Sequence, residues 1–166
     1  IDPLFYDALS AELDEIAAIP VKKTRELKLA DYQKKLASLT FLDPACGSGN
    51  FLTETYLSLR RLENKALMLR LGDQIIMGDT DFNPIQVSIG QFYGIEINDF
   101  AVTVAKTALW IAESQMMKET EAIVHMHLEF LPLTSYANIV EGNALQVDWE
   151  SVVPKQQLSY IMGNPP

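Results

Sequence analysis

Four residues near the end of the sequence, Gly163-Asn164-Pro165-Pro166, join a side-chain amide to two consecutive prolines. Each proline fixes φ near about -65° and removes an amide donor, which leaves a stiff bend whose carbonyl oxygens are free to accept. An exocyclic amine on an aromatic ring is a poor nucleophile, because its lone pair is delocalised into the ring. If its two N–H groups donate to the Asn164 side-chain oxygen and the Pro165 carbonyl, the nitrogen is held pyramidal with its lone pair aimed at an electrophile. That is positioning plus electrostatic stabilisation. Pro166 completes the bend. A diproline turn that only ends a strand is the plain alternative.

Three further polar groups fall where short apolar runs end. Asp43-Pro44-Ala45-Cys46-Gly47-Ser48-Gly49-Asn50-Phe51 follows the first run, Glu96 ends the second, and Asn143, between Gly142 and Ala144, follows the third. A glycine-containing turn between strand and helix can cradle a phosphate on backbone amides. Here Leu52 stands where GxGxxG needs its third glycine, and Asp43 sets a carboxylate where a pyrophosphate would sit. A ligand that brings an ammonium gains from that carboxylate instead, and S-adenosylmethionine (SAM) is such a ligand. Glu96 can accept from ribose hydroxyls. Asn143 can pair with an adenine edge, or it can simply serve a turn.

The elements that must position these groups alternate. Asp2-Pro3 reads as an N-cap and first helical position, with Phe5, Leu9, Leu13 and Ile16 at helical spacing up to Ile19-Pro20. A second helix is expected over about Thr24 to Leu36, with Leu29, Tyr32 and Leu36 inward and Lys28, Lys34 and Lys35 on a solvated face. Leu39–Leu42 reads as a strand, and the helix after Gly49 carries Leu52, Tyr56 and Leu59, continuing through Arg60-Arg61-Leu62-Glu63 towards Gly72. Residues 72–91, punctuated by Gly78, Asp79, Asp81 and Pro84, read as an irregular insertion. A strand over Phe92–Ile97 leads to a helix from Asn98 or Asp99, whose Ala101, Ala105, Ala108 and Ala112 permit close approach to a sheet. The stretch through Pro132 is ambiguous, and Ile139–Glu141 and Leu158–Met162 read as two more strands. The expectation is an α/β fold with a mostly parallel sheet of about four strands, N-terminal helices over residues 1–38 and a ligand-binding unit over 39–166. Ligands then gather at the carboxyl ends of the strands.

Composition narrows the function. Thirteen Lys and Arg against 22 Asp and Glu give a net charge of -9, the wrong sign for a stand-alone nucleic-acid binder, so DNA contacts must come mostly from elsewhere. No apolar run approaches the ~20 residues of a membrane span, and Ile1-Asp2-Pro3 lacks the features of a signal peptide. The single Cys46 suits a reducing, cytoplasmic setting and, lying in the glycine turn, reads as packing rather than as a nucleophile. His125, His127 and Glu129 have no companion cluster of zinc type, and Asp79 with Asp81 lacks the rest of a calcium loop, so no metal is expected.

Phe41 to Phe51 (FLDPACGSGNF) resembles motif I of the amino methyltransferases that act on DNA, and Gly163 to Pro166 resembles the start of their NPPY or NPPF motif. The longer runs LASLTFLDPACGSGNFLTETYLSLRRLEN, QFYGIEINDFAVTVAKTALWIAE and NIVEGNAL resemble the methyltransferase region of the MmeI-like enzymes, which combine restriction and modification in one polypeptide. These segments cover much of residues 36–166. The resemblance implies a partial Rossmann-like class I methyltransferase fold and SAM as methyl donor. It also implies an adenine flipped out of double-stranded DNA and direct transfer to N6 without a covalent enzyme intermediate. On that pattern Asp43, Ala45, Gly47, Gly49, Asn50 and Phe51 line the cofactor site, with Asp43 at the methionine end. Glu96 takes the ribose, Asn143 takes the adenine edge, and Ile97 and Ala144 flank the adenine ring. Asn164, Pro165 and Pro166 grip the target amine. Related enzymes often carry Asp where Asn143 stands. The aromatic residue expected after Pro166, further strands of a seven-stranded sheet and a target-recognition domain are not in the sequence, so this piece alone is not expected to methylate DNA.

Rival readings are an amino methyltransferase acting on cytosine N4, RNA or a protein glutamine, a SAM-sensing module that gates a neighbouring nuclease, and a nicotinamide dehydrogenase. The long MmeI-like runs favour DNA.

Overall fold

A computed structural model describes residues 3–72, 83–125, 128 and 137–164. Apolar spacing sets the first two helices. α1 (Pro3–Ala17) buries Phe5, Leu9, Leu13 and Ile16, while its expected cap, Asp2, lies outside the described residues. α2 (Lys22–Ser38) is two residues longer than expected at each end; it buries Leu29, Tyr32 and Leu36 and leaves Lys28, Lys34 and Lys35 exposed. The Tyr32 hydroxyl, whose pKa burial raises, donates to the Leu9 carbonyl at 2.9 Å and ties the two helices together. Both helices share one apolar core with Phe41, Leu52, Tyr56 and Phe92.

Then follow β1 (Phe41–Asp43), α3 (Asn50–Leu71), β2 (Phe92–Glu96), α4 (Asp99–Val124), β3 (Asn138–Glu141), α5 (Trp149–Val152) and β4 (Tyr160–Ile161). The four strands form one parallel sheet in the order β3-β2-β1-β4. β1 pairs with β2 on one side and β4 on the other, so the order reverses at β1, and the crevice that such a switch opens lies beyond its last residue, Asp43. Phe41 aligns with both Phe92 and Tyr160 across the sheet, and the three rings stack with centroids 5.3 Å apart in each pair. Phe5 of α1 covers that stack, 5.5 Å from Phe41 and 5.1 Å from Tyr160. α1 thus braces the strand that leads to Asn164.

Three local features depart from expectation. β4 is shorter than the Leu158–Met162 run, though the backbone bonds from Ser159 and Tyr160 to the Thr40 carbonyl and from Met162 to the Leu42 carbonyl continue beyond it. α4 extends into the stretch that the sequence left ambiguous and stops at His125, which adopts a left-handed conformation. α5 was not anticipated; Asp148 caps it by accepting from the Glu150 amide at 3.1 Å, and the Trp149 indole donates back to the Ala144 carbonyl at 2.8 Å. The expectations on Gly78, Asp79, Asp81 and Pro132 lie outside the described residues. Among the described residues no helix is long and apolar enough to cross a membrane.

The charged stretch after Leu59 holds a larger surprise, because Arg60 and Glu63 are fully buried where α3 meets α4. Their side chains pair with each other. Arg60 also donates to the Thr120 hydroxyl at 2.8 Å, and Glu63 accepts the backbone amides of Gln86 at 2.7 Å and Val87 at 3.2 Å. Burial pushes the Glu63 carboxyl up, while Arg60 and these amides pull it down. Removing one partner of such a pair strands the other charge without water. Arg60→Ala should therefore lower unfolding free energy by about 3–5 kcal/mol, measured by urea denaturation. A loss no larger than that of an exposed lysine substitution would contradict the arrangement.

Candidate functional site

The carboxyl end of β1 turns sharply into α3, and its carboxylate is built into that turn. Asp43 is 1% exposed; its Oδ1 accepts from the Ala45 amide at 3.0 Å, and its Oδ2 is buried with no hydrogen-bond partner among the described residues. Burial raises its pKa, the Ala45 amide lowers it, and the nearby Glu96 carboxylate raises it further. Gly49 closes the turn in a left-handed conformation with φ of 78°, and a Cβ there would stand 2.9 Å from the Ala105 Cβ of α4. The alanine spacing of α4 thus meets a residue that can only be glycine, through both its φ and its contact.

Glu96 joins three loops. Its Oε2 accepts from the Gly47 amide at 2.8 Å and its Oε1 from the Asn98 amide at 2.9 Å. Its backbone carbonyl accepts from Gly142 at 2.8 Å. Each carboxylate oxygen offers about two lone-pair sites, so one remains open on each for an outside donor. Asn98, the residue between these contacts and α4, caps that helix through the Ala101 amide at 3.0 Å. Among the described residues nothing but its immediate chain neighbours lies within 4 Å of where a Gly47 side chain would begin, so they leave open space over the turn between the two acids.

The other expected residues fall around this turn with different duties. Ala45 supplies its amide to Asp43. Asn50 and Phe51 begin α3, Asn50 exposed and accepting from the Ser48 hydroxyl at 3.3 Å, Phe51 40% exposed. Ile97 is 68% exposed at the end of β2, free to meet a planar ring. Asn143 braces its own turn: its carbonyl accepts from Gln146 and Val147 and its Oδ1 from the Leu145 amide at 3.0 Å, a bond that uses one of that oxygen's two lone pairs and neither amide hydrogen. Ala144 packs beside Leu42, Ile95 and Val153 in a second, smaller core. Asn164 is exposed just beyond β4, while Pro165 and Pro166 lie outside the described residues, as do His127 and Glu129.

Gly163 stands in the sequence motif without a role of its own, and the structure gives it one. Its φ is 147°, and a Cβ on it would stand 2.5 Å from Asp43 Oδ1 and 3.0 Å from its Cγ. The backbone preceding Asn164 therefore rests on the Asp43 carboxyl group. The one available signal was a glycine immediately before Asn-Pro-Pro. Cys46 packs as expected: it is 6% exposed, and its sulfur would be 2.8 Å from a Cβ on Gly94 of β2. Burial, with Asp43 and Glu96 adding to it, pushes the thiol up to about 12.

A parallel α/β sheet with its switch point at Asp43, a second acid at the end of the neighbouring strand and an exposed asparagine after the strand on the far side defines part of a methyltransferase fold. The chain belongs to the family described as MmeI, DNA-methyltransferase domain, which matches residues 19–166. It is 45% identical over 170 residues to DNA methyltransferase A of Bacillus subtilis (strain 168), covering 100% of this chain and 18% of that protein. It is 30% identical over 165 residues to a putative type II restriction enzyme and methyltransferase of Methanocaldococcus jannaschii, covering 99% of this chain and 13% of the relative. Among solved structures it is similar to the type IIL restriction-modification enzyme MmeI in complex with DNA, with a TM-score of 0.87 and 38% identity over 99% of this chain and 21% of that one. The chain thus spans about a fifth or less of each of these relatives.

The buried groups give two expectations. Because the folded Asp43 pKa is raised, the unfolded state releases this proton first as pH rises, and Asp43 costs stability above the usual carboxylate range. Asp43→Asn keeps an acceptor for Ala45 and cannot ionise. At pH 7 it should melt at or above the temperature of the unsubstituted chain, and the difference should shrink as pH falls through that range; a large loss at pH 7 would refute the account. The Cys46 thiol, in turn, should react with an aromatic disulfide at pH 8 at least about 100-fold more slowly in the folded chain than in urea, since the thiolate is the reacting form.

Proposed function

We propose that this chain is the cofactor-binding half of a SAM-dependent DNA methyltransferase that modifies adenine at N6, within a longer restriction-modification enzyme. The observation that carries the reading is the Asp43 carboxyl group at the switch point of the sheet, buried and with one oxygen that has no hydrogen-bond partner among the described residues. A buried acceptor without a donor costs stability, and a ligand ammonium relieves that cost.

The residues present fit SAM. Asp43 answers its amine, the open lone pairs of Glu96 answer two ribose hydroxyls, and the exposed Ile97 offers an apolar surface to the adenine. Asn143, whose carboxamide is oriented by the bond from the Leu145 amide to its oxygen, meets the adenine edge through its NH2 group. When bound, SAM supplies an electrophilic methyl group. The chain's own work is to orient and to bind: the Asn164 side-chain oxygen and the Pro165 carbonyl accept from the two N–H groups of the target amine, drawing its lone pair out of the ring. A base inside a duplex cannot reach such a site, so the target is extruded from DNA. With a net charge of -9, the chain leaves the phosphate contacts to other parts of the protein. The relatives named as DNA methyltransferase and as restriction enzyme and methyltransferase support this reading, and the buried thiol accords with a reducing, cytoplasmic setting.

The test is methyl transfer from labelled SAM to DNA by the full-length protein, followed by nucleoside analysis. Label is expected in N6-methyladenine, and Asn164→Ala should lower the rate by about 100-fold or more. Label in N4-methylcytosine, in RNA or in protein would overturn the adenine assignment. Cofactor binding with no transfer to any acceptor would point to a sensing module.

A further inference from the structure

The contact between Gly163 and Asp43 has no part in the reading above, which needs only that Asp43 meet an amine and Asn164 meet a base. The two residues come from different strands, and their contact is close. Asp43 ends β1, and Gly163 follows β4, the strand paired with it. Further backbone and side-chain bonds hold the approach: the Met162 amide donates to the Leu42 carbonyl at 2.9 Å, and the Thr55 hydroxyl of α3 reaches the Met162 sulfur at 3.4 Å. The chain therefore arrives over the carboxyl group with little freedom, and a Cβ on Gly163 would overlap Oδ1 at 2.5 Å. The φ of 147° independently favours glycine there. Meanwhile Oδ1 is anchored on the Ala45 amide and Oδ2 is unpartnered and buried, so the same carboxyl group has one side against Gly163 and one oxygen awaiting a donor.

We propose that Gly163 is a positioning residue which seats Asn164 on the Asp43 carboxyl group, so that an ammonium engaging Asp43 also sets the position of the target-gripping loop. The proposal rests on the SAM reading and deepens it. A carboxyl group that forms a new ion pair must rotate or settle, and the backbone in van der Waals contact with it moves in step. Linkage makes the effect reciprocal: whatever fixes Asn164 also favours the Asp43 geometry that holds the amine. The part of the cofactor that matters for this coupling is the amino-acid end, not the nucleoside.

That distinction supplies the test. Amide spectra of the protein are recorded with saturating S-adenosylhomocysteine, which has the amine, and with saturating methylthioadenosine, which keeps the nucleoside but lacks the amino-acid end. Both ligands are expected to shift the Glu96 and Ile97 signals, and only S-adenosylhomocysteine to shift those of Gly163 and the Asn164 side chain. Gly163→Ala should weaken S-adenosylhomocysteine, whose amine meets the displaced Asp43 carboxyl group, more than methylthioadenosine, and methyl transfer by the full-length protein should fall at least about tenfold. A second measurement needs no ligand: Gly163→Ala should lower the melting temperature in the native background and by less in an Asp43→Ala background, where the overlap is gone and only the φ strain remains. Unmoved Asn164 signals under S-adenosylhomocysteine, identical responses to the two ligands, or additive melting shifts would each overturn the proposal while leaving the SAM reading intact. Failure of both ligands to bind would remove the SAM reading itself.

Discussion

The site depends on one carboxylate held by backbone amides. Glu96 collects the Gly47 amide of the glycine turn, its own successor loop through Asn98 and, by its carbonyl, the Gly142 amide after β3. Three loops that are far apart in sequence are fixed to a single residue at the end of a central strand. Hydrogen bonds to a charged acceptor are stronger than those between neutral groups, so the frame of the crevice is set before any ligand arrives. Preorganisation of this kind removes ordering costs that a ligand would otherwise have to offset.

Against that satisfied acid stands an unsatisfied one. Asp43 shares the turn with Glu96, yet it accepts a single amide and keeps one buried oxygen without a partner. The contrast with Glu63 is instructive. Glu63 is also buried, but it has Arg60 beside it and the amides of Gln86 and Val87 on its oxygens, which together fasten the segment before β2 to α3. A buried acid with its donors present is part of the frame. A buried acid without them, at the switch point of a parallel sheet, is the acceptor to which the proposed function assigns the ligand's amine.

Much of this was legible in the residues. Apolar spacing gave α1, α2 and the start of α3, because a 3.6-residue period selects one face and burial follows from it. The turn after β1 was legible from Asp43 to Gly49, and the alanines of α4 announced a close approach that proved to be against Gly49. The short α5 was not, since four residues carry no period and its stability comes from the Asp148 cap and the Trp149 pin to Ala144. Arg60 and Glu63 were read only as part of a charged stretch that continues a helix, since residue type alone does not say which face is covered. Only the packing of α4 and of the Gln86–Val87 backbone over them turns that face inward.

By itself, the sequence determined the fold class, the succession of the strands and the longer helices, and the chemical kinds of group at each strand end, since these follow from local periodicity and from residue type. The tertiary structure alone decided which of those groups share a boundary. Asn143 braces its own turn, Glu96 binds three loops, and Gly163 lies on Asp43 across 120 residues of chain. The physical reason is that parallel pairing of β1 with β4 sets residues that are distant in sequence within contact distance, and no pattern along the chain encodes that register.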